Sequence, residues 1–314
     1  MQNQKQTTHS NSASWWAVAR SEEVTSKKPL SSDIGNQELV IWRDAAGIAR
    51  AMEDRCPHRR APLSRGCVRE NGLIQCGYHG WSFDGETGRL REIPNMKSEQ
   101  RFPPLYKAQS FAVAESGGFV RVCLTPGAEA PAVDAASLPL YGTAHVGLAQ
   151  EHYLSTFFDD PGMLFGIKGV EFTPYLASDL KAEAGRLVME RNCQWRGLHW
   201  PSSFSSEFPI SLLSKTDPLT GETELTLRDD ALRTLLTAVI APVPAARGST
   251  AIRWRARLAK TLNGLRAKQL LIGAPFRVFD TIDAAALRRL TPSASVQWQD
   301  LRAAIIQTSQ ASAA

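Results

Sequence analysis

Two short boxes constrain this chain more than any other feature of it. The first reads Cys56-Pro57-His58-Arg59-Arg60 and the second Cys76-Gly77-Tyr78-His79-Gly80-Trp81. Reduced to donor types, the pattern is C-x-H, seventeen intervening residues, then C-x-x-H. Each box sets a thiol and an imidazole close together on one loop. Two such loops, brought face to face, can hold a metal centre. Any fold of this chain therefore has to deliver both loops to one place.

Zinc accepts two Cys and two His, but zinc fingers usually spend both cysteines in one box and both histidines in the other. Here each box holds one of each. The mixed order suits a two-iron centre in which Cys56 and Cys76 hold one iron while His58 and His79 hold the other. With their flanks, Cys56-Pro57-His58-Arg59 and Cys76-Gly77-Tyr78-His79-Gly80-Trp81-Ser82-Phe83 resemble the cluster boxes of Rieske-type ring-hydroxylating oxygenases. They are less similar to the Rieske protein of respiratory cytochrome complexes, which carries an extra, disulfide-bonded cysteine in each box. The second box here has no spare cysteine, and Cys67 between the boxes has no evident mate.

At 314 residues the chain has room for two domains, and 43% apolar residues can build real cores. Five cysteines, two of them assigned to a cluster, give no disulfide framework, so a reducing, cytoplasmic setting is expected. Met1–Ala13 is polar and lacks the apolar core of a secretory leader, which reads as a loose tail over 1–14. No run of eighteen apolar residues is present to span a membrane. The net charge of +5 comes without a nucleic-acid-binding signature, so no nucleic acid is expected. The excess suits docking of an acidic electron donor or has no role at all. Arg59 and Arg60 are open to the same two readings.

In chain order, Leu39–Arg43 and Ile48–Glu53 read as strands joined across Gly47, and the second delivers the chain to Cys56. Leu73–Gln75 is a short strand into Cys76. A glycine-rich turn over 83–88 and a strand pair within Phe111–Leu124, joined across Ser116-Gly117-Gly118, complete an all-β cluster domain over 15–125. Pro57 stiffens the first loop, and Gly77 and Gly80 allow backbone amides to approach the sulfurs. Tyr78 and Trp81 either shield the cluster or pack as ordinary core. A linker follows over 126–136. The remainder, 137–314, reads as an α+β substrate domain with an antiparallel sheet and C-terminal helices. Its strands are expected at Glu222–Leu227, Ala231–Val243 and Ser249–Arg257, the last half-buried with Arg253, Arg255 and Arg257 on its outer face. Helices are expected from Leu258 through Leu270, at Asp283–Leu290 and at Gln297–Gln307. The basic helical stretch over 251–290 reads as a solvated face, with a membrane surface as the other reading.

The resemblance further implies an oxygenase that is fed by a separate reductase or ferredoxin and that hydroxylates or demethylates an apolar small molecule within a homotrimer. It also implies one mononuclear Fe(II), held by two His and one carboxylate. The family's acid-x-x-His-x4-His spacing is missing. Gly142-Thr143-Ala144-His145 has glycine where the acid belongs, and His152 follows after six residues instead of four. His145, His152 and Asp283, with Asp280 as competitor, are the nearest candidates; His199 completes no pair. Three readings therefore stand: an oxygenase with a divergent iron site, an electron-transfer or accessory protein without that iron, and a zinc-stabilised interaction module.

Overall fold

The computed structural model describes residues 14–96, 102–131, 137–196, 209–263, 267–290, 292 and 294–311. All of the expected tail but Ser14, residues 132–136 of the expected linker, and His199 lie outside these residues.

The first half is built from β1 (Trp15–Arg20), β2 (Leu30–Ile34), β3 (Gln37–Arg43) and β4 (Ala49–Glu53), the short β5 to β8 (Cys67–Val68, Ile74–Gln75, Ser82–Phe83 and Leu90–Glu92), then β9 (Ser110–Ser116) and β10 (Phe119–Cys123). They form an antiparallel sheet ordered β1-β10-β9-β4-β3-β2 and a smaller one ordered β5-β6-β7-β8. The apolar run of β3 is buried on both sides. Leu39 and Ile41 join the core under β1 and β10, while Val40 and Trp42 face Cys56, Cys76, Leu63 and Phe83. Period-two alternation on one strand thus gives the sheet one face for itself and one for the loops. Trp42 ties the two together by donating Nε1–H to the Gly72 carbonyl at 3.0 Å.

The second half runs β11 (Leu140–Val146), α1 (Gln150–Asp159), β12 (Phe165–Ile167), β13 (Val170–Glu183), β14 (Arg186–Trp195), β15 (Ile210–Thr216), β16 (Thr223–Asp229), β17 (Thr234–Ala245), β18 (Ser249–Leu258), β19 (Phe276–Val278), α2 (Ala284–Arg289) and α3 (Trp298–Ala311). Seven strands make one antiparallel sheet, ordered β11-β18-β17-β16-β15-β14-β13. Its core face packs under α1 and α3 through Tyr153, Phe157, Phe158 and Trp298. The architecture is the α+β class expected: cluster-side sheets first, a sheet domain second and helices at the C-terminus.

Three local expectations change. Among the described residues the expected helix over Leu258–Leu270 does not appear: β18 runs to Leu258, residues 259–263 are not helical, and a 3-10 turn, Ala267–Leu271, is described beyond them. Leu262 and Leu270 are both buried in the core. Next, β17 passes straight through Pro242 and Pro244. The pairing with β16 stops at Ile240, so both prolines lie where β17 has lost that neighbour and a missing N–H leaves no gap in the ladder. Finally, β18 is not half-exposed. Ile252 and Ala256 face the core as expected, but Arg253 and Arg255 on the other face are 7% and 1% exposed.

Those arginines are buried against the first half. Arg255 donates Nη2–H to the Glu22 carboxylate and the Gly118 carbonyl, and Nη1–H to Ser137 Oγ and the Leu138 carbonyl. Nearby, Arg253 reaches Ser32 Oγ at 3.1 Å, Gly35 N–H donates to Pro244 O, and Arg121 pairs with Glu222 at 2.5 Å. Ala241 and Val243 of β17 add apolar contact. The buried Arg255 guanidinium is tolerated because its N–H groups find acceptors, whereas Arg253 keeps a buried Nη1 with no hydrogen-bond partner among the described residues. Partial burial pushes the Glu22 carboxyl up, but the combined pull of Arg255, a backbone amide and Arg20 leaves it below its ordinary value. Its stabilising contribution is therefore present above the ordinary carboxylate pKa and is lost as pH falls through the lower folded one.

Replacing Arg255 by Leu removes the charge partner of Glu22 and one donor each from Ser137 Oγ and the Gly118 and Leu138 carbonyls, and should cost about 3 kcal/mol in urea unfolding; a loss below about 1 kcal/mol would mean the seam is carried elsewhere. Acid should likewise weaken wild type more than Glu22→Gln, as read from unfolding midpoints below the ordinary carboxylate range.

Candidate metal centre

Both boxes fold into the same turn. Cys56 N–H donates to the Ala61 carbonyl at 2.9 Å and Arg60 N–H returns to the Cys56 carbonyl at 2.8 Å. Cys76 N–H donates to the Trp81 carbonyl at 2.8 Å and Gly80 N–H returns to the Cys76 carbonyl at 3.0 Å. In each, the fourth residue after the cysteine takes a left-handed backbone, Arg60 at φ 59° and Gly80 at φ 71°. Glycine does this freely, whereas for Arg60 it costs about 1 kcal/mol. The segment that leads out of the first loop presses on the backbone of the second box. A Cβ on Gly66 would land on the Gln75 carbonyl oxygen, and one on Gly77 would lie 2.9 Å from the Arg65 carbonyl oxygen.

Further groups that the motif does not announce hold this arrangement. Buried Asp54, two residues before Cys56, accepts from Ser64 N–H at 2.7 Å and Ser64 Oγ–H at 2.5 Å, which pins the far end of the first loop. Gln75 donates Nε2–H to the Gly80 carbonyl at 3.0 Å. Tyr106 meets Trp81 edge-on at 5.0 Å. Asp54 and Gln75 adjoin the boxes and were within reach of a closer reading; Gly66 and Tyr106 act only through tertiary contact.

All four box donors come together. Cys56 and Cys76 are each 2% exposed, within the small core formed with Leu63, Ile74 and Phe83. Burial pushes the Cys56 thiol up to about 11, with the Cys76 sulfur adding to the rise; the amides of His58 and Arg59 hydrogen-bond the sulfur and pull the other way. Two thiols this close and this dry are poor acids alone, and a cation between them removes the penalty on their thiolates. The His58 and His79 rings stand 4.7 Å apart between centroids, tilted by 57°. Burial, then His79 and Arg59, lower the His58 pKa and favour the neutral imidazole that binds metal. His58 Nδ1 is buried with no hydrogen-bond partner among the described residues. A ring nitrogen hidden from water and from every donor is an unmet cost unless a metal ion takes its lone pair. Two sulfurs on one side and two imidazoles on the other fit a two-iron cluster.

A profile of the Rieske [2Fe-2S] domain matches residues 14–111. Residues 14–111 form a Rieske [2Fe-2S] domain. Its cofactor is a [2Fe-2S] cluster. Over 107 residues the chain is 42% identical to the vanillate O-demethylase oxygenase subunit of Pseudomonas sp. (strain HR199 / DSM 7063), covering 34% of this chain and 28% of that one. Over 86 residues it is 45% identical to the chloroplastic pheophorbide a oxygenase of Oryza sativa subsp. japonica, covering 27% and 16%. The matched region thus spans less than a third of the length of these relatives. Across nearly its whole length the chain shares its fold with dicamba monooxygenase bound to dicamba, at a TM-score of 0.63 and 18% identity, covering 95% of this chain and 98% of that one.

A second metal site does not form from His145, His152 and Asp283. On β11, Ala144 and Val146 take the core positions, so alternation turns His145 outward, and its backbone N–H donates to Asp280 Oδ1 at 3.1 Å. His152 lies on the exposed side of α1, whose inward residues are Tyr153, Leu154, Phe157 and Phe158. Asp283 spends its Oδ1 capping α2, accepting from the amides of Ala285 and Ala286. Among the described residues, no group of three or more His, Cys, Asp or Glu side chains is placed to hold a single metal ion; the box donors serve as two pairs, two thiols and two imidazoles, and not as one set around one ion. The Tyr153 hydroxyl on the inward side of α1 is pushed far up by complete burial and stays protonated.

His58→Ala should abolish the visible and EPR signatures of the Rieske cluster in protein reconstituted anaerobically with iron and sulfide; an unchanged spectrum would remove His58 as a ligand. Gly66→Ala, which touches no donor, should lower cluster occupancy by forcing the loops apart, and full occupancy would show that their contact is dispensable.

Proposed function

We propose that the chain is a Rieske-type oxidoreductase acting as the oxygenase component of a system that hydroxylates or demethylates an apolar small molecule, with O2 and electrons from a separate reductase or ferredoxin. The observation that carries this reading is the pair of buried thiols, Cys56 and Cys76, together with the adjoining His58 and His79 rings, with His58 Nδ1 free for a metal. Cys56 and Cys76 hold one iron, and His58 and His79 the other. When bound, the cluster supplies reversible one-electron chemistry. The chain's own residues exclude water from the sulfurs through Leu63, Ile74 and Phe83, fix the His58 ring against Trp81, and aim amides at Cys56. These are the levers that set a cluster's potential. The boundaries we assign are 15–125 for the cluster domain, 126–136 for the linker and 137–314 for the substrate domain. A homotrimer in the cytoplasm is part of the proposal.

Support for oxygen chemistry comes from the relatives, among them a demethylase and a 4beta-methylsterol monooxygenase of Methylococcus capsulatus (strain ATCC 33009 / NCIMB 11132 / Bath), and from a second domain far larger than electron carriage requires. A cavity of about 500 Å³ beside the end of α1 has the size of a small-molecule site. Phe165, Phe172 and Phe279 give it ring faces, and Lys168 and Arg277 give it charge.

The alternative is an electron-transfer protein without its own oxygen-activating iron, a reading that the outward His145 and His152 keep open. Iron analysis and oxygen uptake separate the two. An oxygenase should hold three irons per chain and consume O2 in step with product when a reductase and an aromatic methyl ether or methylsterol are supplied. Two irons and no uptake would leave the electron-transfer reading.

A further inference from the structure

Both histidine rings carry an aromatic neighbour, and the two neighbours are held differently. His79 has Tyr78, the residue before it, at 3.9 Å and itself 64% exposed. His58 lies flat against Trp81, their planes 2° apart and their centroids at 4.3 Å, with His58 Nδ1 out of solvent. A flat stack resists tilting but lets one ring slide or turn over the other. Trp81 meets a third ring, that of Tyr106, at 5.0 Å and 85°, and a perpendicular neighbour blocks the sliding that a flat one allows.

Tyr106 comes from outside both boxes, and its own backbone is fixed. Its N–H donates to the Pro103 carbonyl at 3.1 Å, and its carbonyl accepts from Leu90 N–H at 3.3 Å. Two residues on, buried Ala108 donates its N–H to the Gly88 carbonyl at 2.9 Å, and Lys107 bridges to Arg89 between these bonds. Phe102, Tyr106 and Ala108 all pack on the small core that contains Cys56 and Cys76. The strap over 102–108 is therefore tied to β8 and the turn before it, and from that anchored position it presents Tyr106 to Trp81.

We propose that Tyr106 is a positioning residue for the cluster: through Trp81 it fixes the plane of the His58 ring and keeps water from it, and so holds the reduction potential down. This rests on His58 as an iron ligand, the reading given above, and specifies what holds that ligand in place. All three rings belong to one chain, so the contact is the same in a monomer and in a trimer. The direction of the effect follows from charge. Two ferric ions balance two sulfides and two thiolates, so one added electron leaves the reduced centre negative. Water admitted beside His58 stabilises that negative form and raises the potential.

The test compares cluster-loaded, full-length variants by redox titration at one pH and by pulsed EPR of reduced protein with ¹⁵N-labelled histidine. Tyr106→Leu fills the space but removes the ring. At the wild-type midpoint it should raise the ratio of reduced to oxidised cluster by about threefold or more, and it should change one of the two histidine nitrogen couplings while leaving the other alone. Tyr106→Phe keeps the ring and loses only the hydroxyl, and should match wild type in both readouts. Leu105→Ala, on the same strap but 79% exposed, is the control and should also match wild type. Should the leucine variant take up no cluster, Tyr106→Met repeats the measurement with the same shift expected. An unshifted midpoint, couplings that both change or both stay, or a phenylalanine variant that behaves like the leucine one would each overturn the proposal. Loss of cluster from both the leucine and methionine variants would overturn it too, by making Tyr106 a requirement for assembly. Wild-type protein without histidine nitrogen couplings would instead remove His58 as a ligand.

Discussion

The structure depends on the connecting segment being seated backbone to backbone against the second box. Gly66 against Gln75 and Gly77 against Arg65 leave no room for a side chain, and the second box is thereby held close to the loop that carries Cys56 and His58. Each turn is internally closed by the same pair of amide bonds, so the loops arrive preformed and only their mutual seating remains. β3 supplies the seat. Its Val40 and Trp42 face the loops while Leu39 and Ile41 face the sheet's own core, so one strand serves two cores at once.

Burial then turns a binding pocket into a demanding one. Two thiols in an apolar setting resist ionisation, and a neutral imidazole with a hidden, unpartnered nitrogen forgoes a hydrogen bond. Both costs vanish when a cation sits among the donors, which couples the fold of the loops to their cofactor. Outside the donors, Trp81 and Tyr78 divide the labour: one closes His58 and the other leaves His79 approachable.

The cluster half was legible in the sequence because its signals are local. Box spacing singled out Cys56, His58, Cys76 and His79 as candidate donors, and period-two runs bounded by glycine turns placed β3, β4, β9 and β10 to within a residue or two. The second half was less legible because its decisive contacts are remote. Arg253 and Arg255 alternate on β18 as a solvent face would, yet they are buried against Glu22, Ser32 and Gly118, residues more than a hundred positions away. Leu258, Leu262 and Leu270 fall at helical spacing, yet the described residues around Leu262 are irregular and still send that leucine into the core. His145 and His152 were paired by count alone, and strand alternation and helix facing then turned both outward. α1 escaped notice because its first turn, Gln150-Glu151-His152, is polar and its inward stripe is short.

What joins the halves is the buried seam around Arg255, where a polar network stands in for the apolar interface that two sheets would otherwise share. The central claim, that two imidazoles and two thiolates of this chain hold a pair of irons, is tested most directly by pulsed EPR on the reduced, reconstituted protein with ¹⁵N-labelled histidine. Two inequivalent histidine nitrogens coupled to the electron spin are predicted, one belonging to the ring under Trp81 and one to the exposed ring. A spectrum without histidine nitrogen coupling, or a protein that takes up zinc in preference to iron and sulfide and never becomes paramagnetic on reduction, would contradict it.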